Sequence, residues 1–154
     1  MKKLLLIIIA FTFYSALDAQ ITIAEARALP EGTNVTVEGI VTNGSELGII
    51  RYMQDATAGI AVYPGNGSVG NFPNDVQRGD IIQVSGPLKS FNELLEIDPV
   101  ESYTVISSGN ALPDPIMATP DDIREETEGQ LMQISGVTFD DGCLLYTSPS
   151  PRDA

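Results

Sequence analysis

The sequence predicts an all-β fold: a five-stranded barrel with one short helix at its start, followed by the opening of a second, truncated barrel. Three observations carry this. Between Thr33 and Ile97 the chain breaks into short apolar runs separated by Gly, Asn and Asp turns. The first run alternates strictly, with Val35, Val37, Gly39 and Val41 on one face and Thr36 and Glu38 on the other. The third and fourth runs are joined by one long Gly/Asn/Pro-rich connection, Pro64–Arg78.

Each element has a local reason. Thr22 followed by Glu25 is a capping-box pattern, so Ala24–Leu29 is predicted as a short helix that Pro30-Glu-Gly32 ends. Its Ile23, Ala26 and Leu29 are too few to stand alone, and the helix is expected to lie on the barrel. Thr33–Thr42 is the first strand, and Gly39 inside it suggests a barrel corner. Asn43-Gly-Ser45 turns the chain into Ile49–Gln54, where Ile49, Arg51 and Met53 oppose Ile50, Tyr52 and Gln54. Asp55–Gly59 leads to Ile60–Tyr63, with Ile60 and Val62 inward and Ala61 and Tyr63 outward. One helical turn is expected near Asn74–Gln77. Ile81–Leu88 and Glu93–Ile97 complete the set across Ser90-Phe91-Asn92, and Tyr103–Ile106 is a candidate edge strand. Five strands with a long third connection describe an OB-fold.

Val37-Glu-Gly-Ile-Val41, Tyr52-Met-Gln-Asp-Ala-Thr-Ala-Gly-Ile-Ala-Val62, Arg78-Gly-Asp-Ile-Ile-Gln-Val-Ser-Gly86 and Leu94-Leu-Glu-Ile97 carry a further signal. Over roughly Ile21 to Ser107 the chain resembles a family of exported bacterial OB-fold modules. Such modules occur beside nuclease, phosphatase or surface-attachment domains of large secreted proteins. The resemblance implies a barrel and an accessory role; its motifs are turn and core positions, which do not specify a ligand.

Organisation follows. Met1–Ala19 has Lys2 and Lys3, a short apolar centre and a small residue before Gln20, the pattern of a cleaved signal peptide. Its apolar run is broken by Thr12, Ser15 and Asp18 and falls short of the ~20 residues of a membrane span. The mature protein is expected to be secreted or held at the cell surface, monomeric and without a membrane segment. The OB-fold domain takes residues 20–107 and a linker residues 108–118. Residues 119–142 restart the pattern: Thr119 lies 97 residues after Thr22, and at that offset Arg124 falls on Arg27, Gly129 on Gly32, Ile134 on Val37 and Gly136 on Gly39. Leu131, Ile134 and Val137 are expected to lack partners. Cys143–Ala154 breaks the pattern and resembles a translated sequencing-library adapter, so the only cysteine carries no redox argument.

Composition limits the chemistry. Eight basic residues face 21 acidic ones, a net charge of −13, and there is no histidine. An imidazole base, a Ser-His-Asp triad and a histidine metal site are therefore unavailable. No catalytic residue is assigned, any enzymatic domain being expected beyond this stretch, and no cofactor or metal is expected. Asp98 with Glu101, and Asp121-Asp122 with Glu125-Glu126, offer hard oxygen ligands for calcium; neither has EF-hand spacing, and solvated acidic faces explain them better.

OB-folds bind oligonucleotides or oligosaccharides across strands 2 and 3, flanked by the loops after strands 1 and 4. That surface nominates Arg51, Tyr52, Gln54, Tyr63, Lys89, Phe91 and Asn92. The tyrosines suit stacking on bases or sugars, and Arg51 and Lys89 supply the local cations. The reading is a binding module for single-stranded nucleic acid, accessory to a nuclease. The alternative is a structural spacer or a carbohydrate- or protein-binding module, whose tyrosines cover the barrel against a neighbouring domain of the same chain. The acidic net charge weighs against nucleic acid, whose affinity depends on phosphate neutralisation.

Overall fold

A computed structural model describes residues 20–65 and 69–138. The signal-peptide reading of Met1–Ala19 and the adapter reading of Cys143–Ala154 lie outside the described residues. Within them the elements are α1 (Ile23–Arg27), β1 (Asn34–Val41), β2 (Arg51–Gln54), β3 (Gly59–Val62), α2 (Phe72–Asp75), β4 (Ile81–Phe91), β5 (Leu94–Ile97), β6 (Ser102–Ser107), β7 (Ile116–Ala118) and β8 (Met132–Ile134). No helix among the described residues is long and apolar enough to cross a membrane.

The strand order β1-β2-β3-β5-β4 closes through β1–β4, and β6 adds to the free side of β4. All barrel pairs are antiparallel except β3–β5, where Ala61 meets Glu96 and Val62 meets Ile97 in parallel register. This is the OB-fold topology. Strand β4 makes it possible by its length: residues 81–87 pair with β1, and 88–91 turn to pair with β5. Gly39 sits where β1 passes from β4 to β2. A Cβ there would stand 2.7 Å from the Gln54 carbonyl oxygen, so only glycine admits the crossing.

Alternation sets the core. Val35, Val37, Met53, Ile60, Val62, Ile82, Val84, Leu88 and Ile97 point inward and are almost fully buried. Phe72 and Val76, from the α2 region, join the same cluster. Tyr103 of β6 meets the Phe72 ring edge-on at 5.1 Å and donates to Asp75 Oδ2 at 2.8 Å, tying α2 to the barrel. The helical turn expected at Asn74–Gln77 thus begins two residues earlier, at Phe72, because that side chain is drawn into the core.

Helix α1 has the predicted capping box. Glu25 N–H donates to Thr22 Oγ1 at 3.2 Å, and Thr22 N–H donates to Glu25 Oε2 at 2.9 Å. Asp55 holds its start. Oδ2 accepts from Ile23 N–H at 2.8 Å, while Oδ1 accepts from Thr57 N–H at 2.7 Å, Thr57 Oγ1 at 2.6 Å and Ala58 N–H at 3.0 Å. Burial alone would raise the Asp55 pKa, but these bonds outweigh it and the carboxyl lies below its ordinary value. A depressed folded-state pKa gives stability that is present above the unfolded pKa of about 3.9 and lost as pH falls through the folded one. Asp55→Asn is expected to lower stability at pH 7 and to flatten its fall below about pH 4. Urea unfolding at pH 7 and pH 3 checks this; an equal loss at both pH values would refute it.

From Ile116 onward, the geometry follows the 97-residue offset in several places. Thr119 and Asp122 form a second capping box, with Thr119 N–H on Asp122 Oδ2 at 2.8 Å. Gly32 and Gly129 both have positive φ, 81° and 75°. Ile21 bridges Val37 in parallel, and β7 pairs with β8 in parallel with Ala118 opposite Ile134. A 3₁₀ turn forms at Pro120–Asp122, 97 residues after the α1 positions Ile23–Glu25. Ile123, which follows that turn, is 66% exposed.

Candidate functional site

The outer face of the barrel is divided in two. Over β2 and the start of β3 lies the chain's own segment 125–131. Gly59 and Gly129 meet backbone to backbone: a Cβ on Gly59 would stand 2.3 Å from the Gly129 carbonyl. Leu131 N–H donates to Gln54 Oε1 at 2.7 Å, and Tyr52 lines a cleft with Gly129, Gln130 and Leu131. Arg27 bridges the two parts, donating to Gly59 O at 3.2 Å, Glu125 Oε1 at 2.7 Å and Glu128 Oε2 at 3.4 Å. The Leu131 backbone is thus tied to β2 of the barrel. Ala61, expected outward and open, is fully buried.

The predicted site residues separate accordingly. Arg51 is corrected outright. It has no exposed surface, because it shares the inner face of β2 with Met53. Its guanidinium donates to four carbonyls: Val76 O at 2.9 Å, Gly48 O at 2.9 Å, Ile50 O at 3.0 Å and Pro73 O at 2.5 Å. Burial lowers its pKa, partly offset by Glu46. It is a structural tie between β2 and the α2 loop and offers nothing to a phosphate. Tyr52 and Gln54 are taken up by residues 129–131. Burial, then Glu128 and Glu96, raise the Tyr52 pKa.

Tyr63, Lys89 and Phe91 do come together, in an open groove of about 530 Å³. Its other walls are Leu47, Ile49 and Ile50 from the β1–β2 connection and Leu94, Glu96 and Asp98 from β5 and its end. Phe91, Leu47 and Ile49 are 57%, 53% and 41% exposed, which gathers three large apolar side chains on one surface. Asn92 does not line the groove. With Glu93 it forms the two-residue β4–β5 turn, both at positive φ (50° and 70°), and its role there is the turn itself.

The groove's polar groups are unequal. The Lys89 ammonium is paired with the largely buried Asp98 carboxylate, which raises the Lys89 pKa. Glu96 stands directly across from Lys89 in the β4–β5 pair and is only 4% exposed. Burial and then Asp98 raise its pKa, and Lys89 pulls it back. Of the other carboxylates considered for calcium, Asp122 accepts from Thr119 and Glu125 pairs with Arg27.

Sequence reasoning missed Leu47, Ile49, Leu94 and Glu96. The signal for Glu96 was present. Once Leu95 and Ile97 are set inward, alternation puts Leu94 and Glu96 outward, beside Tyr63 across the parallel β3–β5 pair.

An OB-fold barrel with an open groove between the β1–β2 and β4–β5 connections fits the class of binding modules. No protein-family model matches the chain, and no curated protein matches it. Among solved structures, that of the hypothetical protein ygiW from E. coli is similar with a TM-score of 0.45 at 19% identity, over 57% of this chain and 90% of that chain. The fold assignment rests on strand order and register, with no weight placed on that likeness.

Proposed function

We propose that the barrel is a non-catalytic binding module that holds an extended polypeptide segment in the groove between Leu47, Ile49, Tyr63 and Phe91. The observation that carries this is the concentration of exposed apolar side chains there. Burying one such side chain contributes about 1.5–3 kcal/mol, whereas the groove's single cation is already paired. Single-stranded nucleic acid, and with it service to a nuclease, has weaker support. Arg51 is inside the barrel, Gln54 is buried and bonded to Leu131, Tyr52 is half-buried beside Gly129, and two carboxylates line the groove beside Lys89. The capping box, the positive-φ glycine and the parallel pair at the 97-residue offset support a second unit that begins near Thr119 and packs on the first.

The test is titration of the full chain, with amide shifts followed by NMR, against acetyl-Leu-norleucine-Leu-amide and against a ten-residue oligothymidine. The peptide is expected to move the Tyr63, Phe91 and Leu94 amides, with Phe91→Ala weakening it about tenfold. The oligonucleotide is expected to move none of them at low salt. Oligothymidine binding that fades steeply with salt, with no response to the peptide, would replace this reading with the nucleic-acid one.

A further inference from the structure

Glu96 is the groove residue with no explanation in the fold. It occupies the middle of β5, between β3 and β4, where its backbone partners are Ala61 and Lys89. A strand position so covered ordinarily holds an apolar or hydroxyl side chain, since burying a carboxylate without a donor disfavours folding. Yet among the described residues no group donates a hydrogen bond to Glu96 and no cation lies within ion-pair distance. Lys89, the nearest, is engaged by Asp98 instead. No side-chain oxygen in the described structure is both fully sealed and unpaired, so the Glu96 carboxylate keeps an opening, and that opening is the groove.

Around it stand Tyr63 and Phe91, whose ring faces attract cations, and the apolar Leu47 and Ile49. One ammonium faces two carboxylates across the lining, so the local charge is negative, as is that of the whole chain. We infer that the groove is selective for a segment presenting a basic side chain between apolar ones, with Glu96 as its counterion. The inference rests on the groove-binding reading above and adds the charge of the ligand to it. A Lys or Arg head would complete the missing ion pair of Glu96, while its aliphatic stem and flanking residues cover Phe91 and Ile49. Lys89 then acts as a competitor: its ammonium lowers the groove's attraction for a cation.

The test compares acetyl-Leu-Lys-Leu-amide with acetyl-Leu-norleucine-Leu-amide on the full chain, again by amide shifts. The lysine peptide is expected to bind about tenfold more tightly, the worth of one charge-assisted hydrogen bond. Glu96→Gln should bring the two peptides to the same affinity. Lys89→Met should strengthen the lysine peptide several-fold, the opposite of what an anionic ligand requires. If Glu96→Gln fails to fold, the sign of the Lys89→Met effect still decides. Equal binding of both peptides, or tighter binding of acetyl-Leu-Glu-Leu-amide, overturns the inference and leaves the groove reading standing. Binding of no peptide, with Phe91→Ala silent, overturns both.

Discussion

Arg51→Ala is expected to cost about 3 kcal/mol or more of folding stability, lowering the melting temperature by roughly 12 °C or more. The cost comes from what the guanidinium leaves behind. The carbonyls of Gly48, Pro73 and Val76 take their side-chain bonds from this one group, and that of Ile50 accepts from it and from Asn43 Nδ2 at 3.1 Å. Each buried acceptor left without a donor costs on the order of 1–3 kcal/mol unless water reaches it, and the lost volume adds a cavity. Relief of burying the charge offsets part of this. Arg51→Met separates the contributions: it keeps most of the volume, removes the charge and still orphans the carbonyls. It should fall between wild type and alanine. Lysine cannot serve four divergent acceptors with one compact head and should resemble methionine. Equilibrium denaturation of the three variants provides the check. An alanine variant within about 1 kcal/mol of wild type would mean that water replaces the guanidinium without loss.

The barrel was legible because its information is local and periodic. Turn chemistry at Asn43-Gly-Ser45 and Asp55–Gly59, alternation in β1, and the long third connection suffice to give strand count and order. Boundaries moved by one to three residues where tertiary contacts decide, as at β4, which runs on to Phe91 because β5 pairs with its end. The site was only half legible. Alternation already grouped Arg51 with Met53, and following it would have placed the arginine inside; a charged residue was assumed to seek the surface, which fails when backbone carbonyls supply its partners. Lys89, Phe91 and Tyr63 were found because they flank predicted turns or end a strand. No local pattern could reveal that Tyr52 and Gln54 are covered, since the covering segment lies more than seventy residues further along.

That covering is the second large effect. Gly59→Ala is expected to detach residues 125–131 from the outer face while the barrel remains folded. The added Cβ would lie 2.3 Å from the Gly129 carbonyl and 2.6 Å from Gln130 N, backbone atoms that cannot yield by a rotamer change. Within the barrel, alanine at a strand position gains about 0.5–1 kcal/mol over glycine, so the two halves of the molecule respond with opposite sign. The Leu131 amide, held by Gln54, should exchange at least about tenfold faster, and trypsin should cut more readily after the exposed Arg124. Gly129→Ala, which leaves the barrel sequence intact, should act in the same direction. It meets Ile60 N at 2.8 Å and must also hold alanine at a φ of 75°. Unchanged Leu131 protection in both variants would mean that the glycine contact does not set the packing. Release would uncover Tyr52 and Gln54 and part Arg27 from Glu125 and Glu128, while Arg51 stays inside. The freed face should therefore gain affinity for apolar or sugar surfaces, and any affinity for oligothymidine should fade with salt and disappear in Arg27→Met, which separates stacking from phosphate binding on one and the same sheet.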